Sequence, residues 1–181
     1  EERVRVLIND GRNHLRFTAS RYDCISSEPS NPWIAGIGNL FTREAFQLCR
    51  QRLKPGGVMC QWLHRYGLAE REFKSIFATF GTVFPEVQLW CVLPGSDFLL
   101  IGSEQPLKLD PGRLQALLES EQAARILKKV NFDNPPELIA CFLNDTQGVK
   151  AIAGSAPLHS DDNLLLEFAA PRTLYQGDLP F

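Results

Sequence analysis

The first hundred residues alternate between two hydrophobic periodicities, and that alternation narrows the fold more than anything else in the chain. Val4-Arg5-Val6-Leu7-Ile8 is β-rich and stops at the turn signal Asn9-Asp10-Gly11. Arg12 to Thr18 suits a short helix, and Tyr22 to Ser27 reads as a second strand, ended by Pro29 and Pro32. From Asn39 to Leu53 one broad apolar face (Leu40, Phe41, Ala45, Phe46, Leu48, Cys49, Leu53) lies opposite charges. This predicts a helix stopped by Lys54-Pro55-Gly56-Gly57. Val58 to Leu63 is a third strand, and Ala69 to Phe80 a second amphipathic helix built on Phe73, Ile76, Phe77 and Phe80. Val87 to Leu93 and Phe98 to Gly102 flank Pro94-Gly95-Ser96-Asp97, a natural chain reversal. Strands alternating with helices predict an α/β fold, a mostly parallel sheet with helices on its faces and an antiparallel hairpin at its edge.

The pattern changes after Gly102. Asp110 caps a predicted helix reaching about Val130, with Pro111 in its first turn, and Pro135-Pro136 opens another through about Leu143. A polar, glycine-containing stretch leads to His159–Asn163, and Leu164 to Phe168 reads as a returning strand. The expected organisation is one main unit, residues 1–103, and a helical appendage with the returning strand, residues 104–181, packed on it.

Composition excludes several classes. With 44% hydrophobic and 22% charged residues the chain is globular rather than disordered. Nineteen basic against 21 acidic residues give a net charge of −2, which excludes nucleic-acid binding by phosphate neutralisation. No stretch approaches the run of about 18 apolar residues a membrane-spanning helix needs. The five cysteines are dispersed and odd in number, so they read as buried, reduced thiols acting as small hydrophobes. Only His159-Ser160-Asp161-Asp162 gathers metal-ligand residue types, and it reads as a cap or turn; no metal site is expected.

In open parallel sheets ligands bind beyond the carboxyl ends of the strands. The second of these ends, Ser27-Glu28-Pro29-Ser30-Asn31-Pro32-Trp33, is the most informative. It combines one acid, hydroxyl and amide groups, two prolines that fix the backbone, and a large aromatic, a set that a plain connection seldom needs. Asp10-Gly11 after the first strand, taken alone, suits an ordinary turn, and Gln61 near the end of the third suits a satisfied polar group.

The run YDCISSEPSNPW, followed by NLFTREAFQLCRQRLKPGGVMCQWLH, resembles the polyamine aminopropyltransferases, the spermidine and spermine synthases, and most of all their diverged bacterial spermidine-synthase-like branch. The resemblance covers about residues 4–103; Asp161-Asp162 before an apolar segment matches the branch's ending. It implies a Rossmann-like sheet of the class I methyltransferase type, of which residues 1–103 are the C-terminal part. The glycine-rich loop and N-terminal strands would lie upstream of Glu1, leaving a gap between the first and second strands present here. It also implies aminopropyl transfer from decarboxylated S-adenosylmethionine, a co-substrate, to a diamine or polyamine, with no metal or permanently bound cofactor. A homodimer and a cytoplasmic location, including that of a cytoplasmic domain attached to membrane helices, follow from the same resemblance.

Carried over residue by residue, Asp10-Gly11 matches the Asp-Gly that holds the adenine amino group. Tyr22-Asp23 opens the strand motif, Glu28 occupies the catalytic acid position, Asn31 that of a second acid, and Pro32 matches. Ser27, Trp33 and Gln61 complete the expected substrate contacts, Gln61 one residue out of register. Two aspartates of the family are thus replaced by Glu28 and Asn31, and Asp161 and Asp162 are the candidates to restore the lost charge. Two other readings stand beside this one. Ser30-Asn31-Pro32-Trp33 resembles the tetrad of amino methyltransferases that use S-adenosylmethionine, and the substituted acids also suit a non-catalytic domain that binds polyamines or nucleosides.

Overall fold

A computed structural model of the chain describes residues 4–32, 34–108, 110–129 and 135–173. Helix α1 (Gly11–Phe17) opens on Asp10, whose carboxylate accepts the Asn13 N–H at 2.8 Å. Strand β1 (Tyr22–Ser27) follows, then a loop ending in a 3₁₀ turn (Gly38–Phe41) and helix α2 (Arg43–Arg52). The single helix expected from Asn39 to Leu53 is therefore broken. Thr42 is extended, and its hydroxyl caps α2 by accepting the Ala45 N–H. Strand β2 (Leu53–His64) begins earlier than expected, because a register shift opposite Tyr22 and Cys24 absorbs the Pro-Gly-Gly segment. Helix α3 (Glu70–Val83) and the hairpin β3 (Glu86–Leu93) and β4 (Asp97–Ser103) match the sequence reading.

The second half departs further from it. The helix starting after Asp110 divides at Ser120 into α4 (Pro111–Glu119) and α5 (Glu121–Lys129); the Ser120 hydroxyl accepts the Ala123 N–H and restarts the helix. Helix α6 (Pro135–Ala140) stops short of Leu143, because Phe142–Asn144 forms strand β5 on the outer side of β3. The polar stretch that follows is helix α7 (Thr146–Ala153), capped by Asp145, whose carboxylate accepts two backbone N–H groups. Leu164–Phe168 is not a strand but lies at the start of helix α8 (Leu165–Thr173). Asn163 explains the difference: its side-chain oxygen accepts the Ser160 and Leu165 N–H groups and folds the chain into a helical entry.

The five strands form one mixed sheet in the order β1-β2-β4-β3-β5. Only β1 and β2 run parallel; β2–β4, β3–β4 and β3–β5 are antiparallel, so the described strands are not mostly parallel. Two local facts cause this. The hairpin places its return strand beside β2, and Val4–Ile8 pairs with no strand among the described residues. The β-prone composition of that segment finds no ladder, and Ile8 is fully exposed. Helices α2, α3 and α7 cover one face of the sheet around Phe46, Met59, Leu63, Phe80, Leu100 and Val149. The fit is close at Gly102, where a Cβ would stand 2.5 Å from the Phe84 ring and 2.7 Å from that of Phe80. No helix among the described residues is long and apolar enough to cross a membrane.

Candidate active site

Strand β1 is an edge strand whose outer side is unpaired among the described residues. Along that side runs a cavity of about 600 Å³, walled by α1, β1, the loop leading to α2, and α2 itself. Its volume falls in the range of small-molecule sites. Asp10 and Gly11 contribute one wall and Ser27 and Glu28 another, so four of the residues singled out from the sequence converge on one space. Glu28 follows the carboxyl end of β1 directly, and its side chain is exposed along the cavity.

Asn31 and Gln61 lie outside this lining. Asn31 sits in the loop, where its carbonyl accepts the Ile34 N–H at 3.0 Å. Gln61 is fully buried opposite Ser27 in the β1–β2 register; its amide donates to the Trp62 carbonyl at 2.8 Å and the Ser27 carbonyl at 3.4 Å. That contact steadies the backbone from which Glu28 projects. Trp33 lies outside the described residues. No cluster of three or more metal-ligand side chains occurs among them.

The expectation that Asp161 supplies free acid charge is corrected by its partner. Its carboxylate accepts two bonds from the Arg12 guanidinium, at 3.0 and 2.7 Å, and the Arg12 hydrogen bond holds its pKa below the usual carboxylate range. Arg12 lines the cavity, and its positive charge is met by this pair. His14 and Tyr22 also line it, with Nε2 of His14 2.8 Å from the Tyr22 hydroxyl. Sequence reading missed Arg12 and His14 as site residues, although both follow Asp10 at spacings of two and four in a short helix. The spacing of four was an available signal for His14; the spacing of two gave none for Arg12. Among the cysteines only Cys49 is buried, with its thiol pushed up to about 12 by burial. Cys24 is exposed and Cys60, Cys91 and Cys141 are half-buried, which corrects the expectation of uniformly buried thiols.

Beneath the loop that walls the cavity lies His159, fully buried. Its Nε2–H donates to the Gly38 carbonyl at 2.8 Å and its Nδ1 accepts the Leu166 N–H at 3.4 Å. Burial holds its pKa below the ordinary 6.5, and the same holds for the buried His64. Below pH 6.5 the unfolded chain takes up protons that these two rings refuse in the fold, so stability is complete above that pH and falls as pH is lowered. Denaturant midpoints at pH 7.5 and 5.5 are expected to differ, with a limiting slope of about 1.4 kcal/mol per pH unit per histidine. Equal midpoints would contradict this.

An open α/β sheet with a ligand-sized cavity along its parallel edge strand, reaching the strand's carboxyl end, has the Rossmann-like, methyltransferase-type fold. The family model of the spermine/spermidine synthase domain matches residues 1–96, and this chain belongs to that family. A polyamine aminopropyltransferase of Nitrosomonas europaea is 29% identical over 129 residues, which cover 65% of this chain and 38% of that protein. The spermidine synthase of Thermotoga maritima shares the fold at a TM-score of 0.58 and 22% identity, over 85% of this chain and 50% of that one. A spermidine synthase in complex with the transition-state analogue AdoDATO aligns with the same TM-score, identity and coverages. The chain thus spans half or less of each of these relatives.

Proposed function

We propose that in the intact protein this cavity binds an S-adenosyl-type sulfonium donor beside an amine, and that the reaction is aminopropyl transfer from decarboxylated S-adenosylmethionine to a diamine or polyamine. One observation carries the reading: Asp10, Gly11, Ser27 and Glu28, separated in sequence, line a single cavity that runs along β1 to its carboxyl end. The family membership and the relative crystallised with AdoDATO support an adenosine-type donor.

The chemistry then follows from charge. A free alkyl amine has a pKa of about 10, like lysine, and arrives protonated and unreactive. Glu28 accepts a proton from it; the nitrogen lone pair attacks the carbon attached to the sulfonium; the carbon–sulfur bond breaks and its electron pair leaves a neutral thioether. Asp10 keeps one carboxylate oxygen on the Asn13 N–H as the cap of α1, and its other oxygen is our candidate acceptor for the adenine amino group. We assign Asn31, in the loop beyond the cavity lining, to orienting the amine through its side-chain carbonyl oxygen, and Ser27, Trp33 and Gln61 to the substrate surroundings, Gln61 through the Ser27 carbonyl. Replacing a buried carboxylate by the neutral Asn31 costs about 2–4 kcal/mol of affinity for a cation, so weakened or altered amine selection belongs to this reading. In the proposed division, residues 1–103 carry the reacting groups and residues 104–181 support them.

The test supplies the intact protein with a diamine and, in parallel, S-adenosylmethionine or its decarboxylated form. Methylthioadenosine as product supports aminopropyl transfer. S-adenosylhomocysteine would transfer the site to the methyltransferases, and binding without turnover would make it a binding domain.

A further inference from the structure

Asp161-Asp162 and the segment after it are absorbed by none of these roles, yet residues 159–167 send nearly all their long-range polar contacts to one place. Glu167 Oε2 accepts the Gly36 N–H at 3.2 Å. His159 Nε2 donates to the Gly38 carbonyl at 2.8 Å, and its own carbonyl accepts the Arg43 N–H at 2.9 Å. The Asp161 N–H donates to Glu44 Oε2 at 3.0 Å. The Asp161 carboxylate holds Arg12, whose guanidinium also donates to the Asn39 carbonyl at 3.0 Å. Gly36 and Asn39 are cavity wall, as is Arg12, which stands one residue beyond the Asp10-Gly11 pair.

The contacts at Gly36, Gly38 and Asn39 fall on a stretch with little regular hydrogen bonding of its own, and those at Arg43 and Glu44 fall on the first turn of α2. Residues 34–41 are turns and a 3₁₀ segment, without the ladder of a strand or the repeated bonds of an α-helix. The partners come from 116 to 149 residues downstream. A bidentate guanidinium–carboxylate pair fixes orientation as well as distance. Here it ties α1 to the segment, while Glu167 ties the opposite end of the loop. The segment itself is anchored from below: Leu166 is fully buried in the main core, and the His159 N–H donates to the Thr79 hydroxyl of α3 at 2.8 Å.

We propose that residues 159–167 form a latch that sets the shape of the cavity, with Asp161, through Arg12, and Glu167, through Gly36, as positioning residues for the nucleoside-and-amine site. The role in positioning substrate rests on the reading of the cavity given above; the hold on the loop does not.

The experiment uses the intact protein and its Glu167→Ala, Glu167→Gln and Asp161→Ala variants, with methylthioadenosine as the calorimetric probe. Hydrogen exchange at the amides of residues 36–40 and the unfolding midpoint are followed in parallel. Glu167→Ala and Asp161→Ala are expected to speed that exchange and weaken probe binding, each by about tenfold, with exchange in β2 and β4 unchanged. Glu167→Gln is expected to restore both, since its amide oxygen still accepts the Gly36 N–H. The proposal is overturned if loop exchange is unchanged in the alanine variants, if exchange rises uniformly across the fold, if the glutamine variant behaves as the alanine one, or if the loop loosens without loss of affinity. Should the parent protein bind no probe, the nucleoside reading fails and with it the positioning role. The exchange data then still decide whether the latch holds the loop.

Discussion

Glu28→Gln in the intact protein is expected to lower the turnover of aminopropyl transfer by about 10³-fold while leaving the unfolding midpoint where it was. The two halves of that expectation have separate causes. Glutamine keeps the length and shape of the side chain but cannot take up a proton, so the amine stays in its charged, non-nucleophilic form. Glu28 is exposed along the cavity and follows the last residue of β1, so the core loses nothing when its charge is removed. Affinity for the nucleoside is expected to change little, because the Asp10–Gly11 wall is untouched. Single-turnover rates with saturating donor, beside calorimetry with methylthioadenosine, separate these effects. Turnover within tenfold of the parent would remove Glu28 from the role of base and leave the cavity as a binding site only.

The loop that carries Glu28 was legible in the sequence because its chemistry is local. Two prolines, an acid and an amide directly after a β-rich run need no tertiary context to be noticed. For the same reason β1, α3 and the β3–β4 hairpin match their sequence patterns closely: each shows its period within its own residues. Val4–Ile8 shows the opposite case. Its composition is that of a strand, but a strand exists only through its neighbour, and none pairs with it among the described residues. Phe142–Asn144 is too short to show a period and is a strand because β3 offers an open edge. Leu164–Phe168 reads as apolar either way; what makes it helical is Asn163 bonding ahead to Leu165 and back to Ser160. Arg12 and Asp161 are 149 residues apart, and nothing in either neighbourhood announces the other. Convergence of this kind is a property of the fold, so the sequence could nominate Asp161 for the site and still assign its carboxylate the wrong partner.

Phe80→Ala is expected to cost about 3–5 kcal/mol of unfolding free energy, read from denaturant titration of the intact protein. Phe80 has no exposed surface and sits where three elements meet. Its ring packs edge-on against Phe46 of α2 at 4.9 Å between centroids, lies tilted against Phe84 at 4.7 Å, and covers Gly102 of β4. Removing it opens a cavity that the surroundings are poorly placed to fill, because the floor is sheet backbone and the walls are rings already in contact. The loss also reaches the site: α2, steadied by the Phe46–Phe80 contact, carries Ala45 and Cys49 of the cavity wall. Phe17→Ala supplies the control. That ring is 81% exposed at the end of α1, and its removal is expected to change stability by no more than about 0.5 kcal/mol. A Phe80→Ala loss under about 1.5 kcal/mol would mean that α2 and α3 close over the gap, and that the contact at Gly102 does not fix how the helices sit on the sheet.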